Sequence, residues 1–192
     1  MRPERLRIFA FLISTLIGFP EVHHLARAEG KLMNFVPPGE NAKACWAATF
    51  DGEQPSRQES QNVASMFLAL QYRREKVPQD SQPRKLLFYS LDVTFLDGRK
   101  GTALGNCLPG EGEAISCAVE CDGGGVDLIL EADKALTVTL KRTGMIKLRF
   151  CGGDADTLTL QEKVHGSSYM LSALPSARCP EVVLPDPNAG VD

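Results

Sequence analysis

The chain of 192 residues carries 21 Lys and Arg against 24 Asp and Glu, a net charge of −3, and 43% of it is hydrophobic. With charges this balanced and no basic stripe, nucleic-acid binding is not expected. The length suits one domain with a real hydrophobic core.

Residues 1–28 begin with Arg2, Arg5 and Arg7, continue with the apolar run Ile8 to Phe19, and end on Ala26-Arg27-Ala28. A basic start, an apolar middle and an A-x-A site predict a secretory signal peptide cut after Ala28, giving a mature chain that starts at Glu29. An uncleaved anchor is the alternative, because Pro20 to Leu25 lengthens the stretch before the cleavage site. No later segment approaches the ~18 apolar residues of a spanning helix, so no membrane span is expected after processing. Cleavage removes four basic and two acidic residues and leaves 17 against 22, a net charge of −5 over 164 residues. All six cysteines, Cys45, Cys107, Cys117, Cys121, Cys151 and Cys179, survive it. An even count in an exported chain predicts up to three disulfides and a periplasmic or secreted location.

In chain order, residues 29–62 read as an irregular N-terminal segment lying across the surface, with one short strand at Cys45 to Phe50. The stretch Asp51 to Asn62 is polar and turn-rich, a solvated connection. The β-meander core is expected over 63–174. Its first strand runs through Met66, Leu68, Leu70 and Tyr72 and closes on Arg73-Arg74-Glu75-Lys76. Pro78 and Pro83 place a loop before the longest β-run, Lys85 to Leu96, and Asp97-Gly98 supplies the turn after it.

The densest stretch is Cys107 to Val126, which holds three of the six cysteines between and beside the turns PGEG and DGGG. Ile115, Cys117, Val119 and Cys121 alternate with Ser116, Ala118 and Glu120, which predicts a strand. Beyond it, Val126 to Glu131, Leu136 to Lys141, Ile146 to Phe150, Leu158 to Leu160 and Tyr169 to Leu174 keep the same period of two, with turns at Ala132-Asp133, Thr143-Gly144 and His165-Gly166-Ser167. The spacing predicts consecutive antiparallel hairpins: an all-β, disulfide-bonded fold of eight or nine strands, a closed small barrel, with a β-sandwich as alternative. Residues 175–192, with their prolines and Cys179, read as an extended C-terminal tail tied back to the body.

Cys117 and Cys121 lie four residues apart, about 13 Å along a straight strand, too far to bond each other. A simple meander places Cys107 and Cys151 at one end and Cys121 at the other. It therefore permits a Cys107–Cys151 bridge and disfavours Cys121–Cys151. The competing set joins Cys107 to Cys117 across a hairpin and Cys45 to Cys179, leaving Cys121 and Cys151 over. Six cysteines allow fifteen connectivities, and the expectation is limited to two points: Cys121 and Cys151 are not bonded to each other, and all six cysteines are oxidised.

Few residues suit catalysis. The mature chain has one histidine, His165, read as an exposed turn residue although Ser167 and Ser168 follow it. Asp154 and Asp156 after Cys151 only faintly resemble a calcium turn, and Glu120, Asp122 and Asp127 gather around a solvated one. A zinc site from Cys107, Cys117, Cys121 and Cys151 lacks a C-x-x-C pair. Hence no catalytic residue, metal or cofactor is expected, and the chain is read as a non-enzyme.

The segments Cys45-Trp46-Ala-Ala-Thr-Phe50-Asp51, Gln61-x-Val63 and Cys117-Ala-Val-Glu-Cys121-Asp122-Gly-Gly-Gly125 together resemble a family of small exported, functionally uncharacterised proteins of alphaproteobacteria. The match covers most of the mature chain, and the C-x-V-x-C-D-G-G-G piece is its distinctive part. Members carry histidines in the loop after the first cysteine, where this chain has Gln54 and Gln58. The resemblance implies export and supplies no activity.

The function expected first for an exported, disulfide-bonded barrel is a binding module for a small ligand, and the alternative is a protein-interaction module, such as an inhibitor or envelope accessory protein, with no ligand cavity. A hydrolase comes third. An enclosed apolar cavity favours the first, and a filled barrel the second.

Overall fold

The computed structural model describes residues 31–37, 39, 41–50, 62–75, 84–119, 123–141, 143–148, 158–165 and 167–183. Period-2 alternation of β-branched and aromatic residues with polar ones produces the strands β1 (Lys43–Thr49), β2 (Val63–Glu75), β3 (Arg84–Phe95), β4 (Lys100–Pro109), β5 (Ile115–Val119), β6 (Gly125–Leu130) and β7 (Leu136–Leu140). Then follow β8 (Met145–Lys147), β9 (Thr159–Gln161), a helical turn at Glu162–His165 and β10 (Ser168–Leu174). Eight strands close in the order β1-β10-β7-β6-β5-β4-β3-β2, every ladder antiparallel. This is the expected closed barrel. Closure removes the free edges that an open meander would leave.

The meander is not simple. After β7 the chain turns through Gly144 and leaves the barrel, so β8 pairs with β9 in a separate two-stranded sheet and β10 takes the place beside β7. A backbone bridge from Gly124 to Ile146 and a bond from Lys147 N–H to the Gly123 carbonyl fasten this hairpin to the start of β6. Gly124 has φ 75°, and a side chain there would collide with the Met145 carbonyl. That explains Gly124 as a backbone requirement of this turn. β4 was hidden in the sequence because Gly101 and Gly105 break the β-propensity of its first half.

Alternation puts one side chain of each pair inside. The interior holds Ala44, Trp46 and Ala48 of β1, Leu68 and Leu70 of β2, Tyr89, Leu91 and Val93 of β3, and equivalent residues around the ring. Small residues face large ones, with Gly105 opposite Tyr89, as the width of an eight-stranded barrel demands. Both ends are covered by the chain itself. At one end, residues 31–35 are helical, and Phe35 and Val36 are buried in the barrel core. The expectation that this lead-in lies across the surface is therefore corrected: its two large apolar residues are more favourably placed over the barrel mouth than in water. At the other end, Ile146, Leu148 and Leu160 of the β8–β9 insert enter the same core.

A second, smaller apolar layer lies outside the barrel, where Cys179 and Val182 of the tail cover Ala69 and Phe88. The tail is tied down by the Cys45–Cys179 disulfide and by Val182 N–H donating to Gln71 Oε1 at 2.8 Å. Cys107 bonds Cys117, its direct partner across the β4–β5 ladder, with Cα atoms 4.0 Å apart. The Cys107–Cys151 bridge that the simple meander permitted is thereby overturned: once β4 is a strand, Cys117 is Cys107's immediate neighbour. Cys121 and Cys151 lie outside the described residues, as do residues 1–28, Glu120, Asp122, Asp154 and Asp156.

Candidate functional site

The first place to seek a site is the barrel interior. Leu68, Leu70, Tyr89, Leu91, Ala103, Val126, Leu128, Leu136, Val138 and Leu171, which line it on six strands, have no exposed surface. A void large enough for a water molecule would leave some of that surface open, so these side chains meet one another. The Tyr89 hydroxyl is buried here with no hydrogen-bond partner, and burial pushes its pKa well above that of an ordinary phenol. Tyr169, also inward and 5.8 Å from Phe50 between ring centroids, is shifted in the same direction by the same cause. The Trp46 indole N–H is satisfied: it donates to the Lys134 carbonyl at 2.9 Å and ties β1 to the β6–β7 turn.

The outer face is polar across the strands that the tail does not cover. The Ser116 hydroxyl donates to Asp127 on the neighbouring strand, Thr102 donates to Asp92 at 2.5 Å, and Thr139 and Ser168 share a bond at 3.3 Å. Apolar inside and polar outside is the reverse of a membrane-spanning barrel, whose lipid face is apolar. No helix among the described residues is long and apolar enough to cross a membrane. Ile129 and Met170 are exposed on this face, and both stand in register with Thr137 between them.

His165, read from the sequence as a turn residue, ends the helical turn after β9. Its Nδ1 accepts from Gln161 N–H at 3.0 Å, and its ring packs on Phe95 with centroids 5.2 Å apart. Partial burial, opposed by the Gln161 bond and aided by the nearby Arg99 charge, holds its pKa below the usual imidazole value. Its recorded partners are thus backbone and an aromatic ring, not a serine. Asp127 is engaged by Ser116, and the described residues contain no group of three His, Cys, Asp or Glu that could hold a metal. Asp97 is held below the usual carboxylate range by hydrogen bonds from Arg99, first from its backbone N–H, which the β3–β4 turn requires.

The sequence reading missed one feature, the ribbon formed by the ends of β2 and β3. The β1–β2 ladder stops at Lys43–Gln71, with one further bond from Tyr72 N–H to the Ala42 carbonyl, and the β3–β4 ladder stops at Leu87–Cys107. The pairs Arg73–Leu86, Arg74–Lys85 and Glu75–Arg84 continue beyond, bonded only to each other among the described residues. The available signal was the charge cluster closing β2. The prolines between the two strands hid the pairing.

No family model, curated protein or solved structure matches this chain.

Proposed function

We propose that the protein is an exported, non-enzymatic interaction module, a barrel whose filled interior serves as a scaffold and whose outer surface meets a partner in the cell envelope. The observation that carries this reading is that central lining side chains, among them Leu68, Tyr89, Leu128 and Val138, have no exposed surface, with both ends covered by the chain's own segments. Two disulfides support export, since such bonds persist in oxidising compartments outside the cytoplasm. A small-ligand barrel of this size would need residues 31–36 or the β8–β9 hairpin to lift and core side chains to move apart.

Native mass spectrometry of protein purified from the periplasm of a bacterial host tests the choice, together with titration of an apolar fluorescent probe. The expected result is the mass of the processed chain alone and no saturable probe binding. A small molecule of constant mass that is released on unfolding would overturn the reading in favour of a ligand carrier.

A further inference from the structure

The two ends of the barrel are closed in different ways. At one end the β8–β9 insert is continuous with β7 and β10, and the Gly124–Ile146 bridge and Lys147 N–H on the Gly123 carbonyl fasten it to the start of β6. At the other end the cover is residues 31–36, joined to β1 only through residues 37–42 and preceded, after the expected cleavage, by Glu29 and Gly30 alone. No backbone hydrogen bond runs from residues 31–36 to a barrel strand among the described residues, and Val36 N–H bonds within the segment, to the Leu32 carbonyl. Side chains hold it instead. Phe35 and Val36 are buried, Leu32 is partly buried, and the Lys31 ammonium donates to the Gly110 carbonyl at 3.2 Å.

Those three apolar residues stand at i, i+3 and i+4 of a helical turn, while Met33 and Asn34 face outward. This is the spacing by which an amphipathic helical segment seats in an apolar groove. The acceptor is the barrel mouth, where Tyr72, Leu87, Ile115 and Leu136 face inward close to this end and share one apolar cluster with Phe35 and Val36. A segment tethered at one end and held by side chains opens more readily than the ladders beneath it. The β8–β9 insert, tethered at both ends and bonded through its backbone, does not share that freedom. We infer that this mouth is an acceptor groove for a helical segment of a partner protein, occupied in the free protein by residues 31–36. The partner segment carries large apolar residues at i, i+3 and i+4 and a basic residue just before them. Glu111 and Glu113, exposed on the β4–β5 turn beside the Lys31 contact, favour that cation. The inference rests on the interaction-module reading and adds the docking place and the partner's chemistry.

The probe is a labelled peptide of residues 29–37, EGKLMNFVP, offered in trans to the full mature chain. The double variant Phe35→Ala, Val36→Ala weakens the resident segment, and fluorescence anisotropy should show saturable binding of the peptide to it. Affinity for the parent should be roughly tenfold or more lower, because only open mouths bind. A peptide carrying Leu32→Ser, Phe35→Ser and Val36→Ser should bind neither protein. The second measurement needs no variant. In hydrogen exchange of the parent, the amides of residues 33–36 should exchange roughly 100-fold or more faster than those of the β2–β3 ladder. Exchange as slow as the ladder overturns the inference whether or not the double variant folds. No binding by a double variant that keeps both disulfides, or equal binding of the serine peptide, overturns it too. A parent dimer that exchanges residues 31–36 between copies would also overturn it and assign the groove to self-association. A co-purified small molecule would defeat the interaction-module reading and leave the peptide titration as measured, so the two failures are distinguishable.

Discussion

Tyr89 and Gly105 face each other across the β3–β4 ladder, and a Cβ placed on Gly105 would come within 3.1 Å of the Tyr89 ring and collide with the Ala118 carbonyl. The glycine therefore leaves the space that the Tyr89 ring and the β5 backbone at Ala118 occupy. Gly105→Ala should destabilise the fold by about 1–3 kcal/mol, the usual effect of overpacking, or more where backbone must shift. Urea denaturation would show it, and an unchanged midpoint would mean that the contact is not tight.

Tyr89 supplies a prediction of the opposite sign. Its hydroxyl is buried without a partner, and leaving such a group unsatisfied costs about 1–3 kcal/mol. Tyr89→Phe keeps the ring and removes the oxygen, so it should raise the unfolding free energy by about 1 kcal/mol. A loss of stability instead would reveal that the hydroxyl has a hydrogen-bond partner inside the barrel.

Non-reducing peptide mapping should yield Cys45–Cys179 and Cys107–Cys117. Their sequence separations are 134 and 10, so the chain-entropy account makes the first more stabilising by about 2 kcal/mol. Alanine pairs at the two sites, compared by denaturation, would measure that difference. Cys121 and Cys151 lie outside the described residues. The same map tests the expectation that these two are not bonded to each other, and a linked Cys121–Cys151 peptide would overturn it.

His165 should make stability depend on pH. Its folded pKa lies below the unfolded value of about 6.5, so protonation favours the unfolded chain. The contribution is complete above about pH 6.5 and is lost as the pH falls through the lowered folded value. Denaturation midpoints should decline from about pH 7.5 to about pH 5. His165→Gln should decline less over that interval, and an equal decline would remove His165 as the source.

Residue pattern by itself determined the all-β class, most of the barrel strands and the Asp97-Gly98 turn, because alternation and turn chemistry are local properties that survive in a linear string. The tail's attachment was legible too, from a lone late cysteine among prolines. Strand order was not local. That β8 and β9 leave the barrel depends on Ile146 and Leu160 gaining burial over its open end, a choice made only when the other strands are in place. The same applies to Phe35 and Val36 at the opposite end, and to Cys107, whose partner was decided by the unforeseen strand β4. Whether the interior is a cavity or a core was a matter of volume. Trp46, Tyr89 and the end segments fill it jointly, and no single stretch of sequence records how large side chains from eight strands meet.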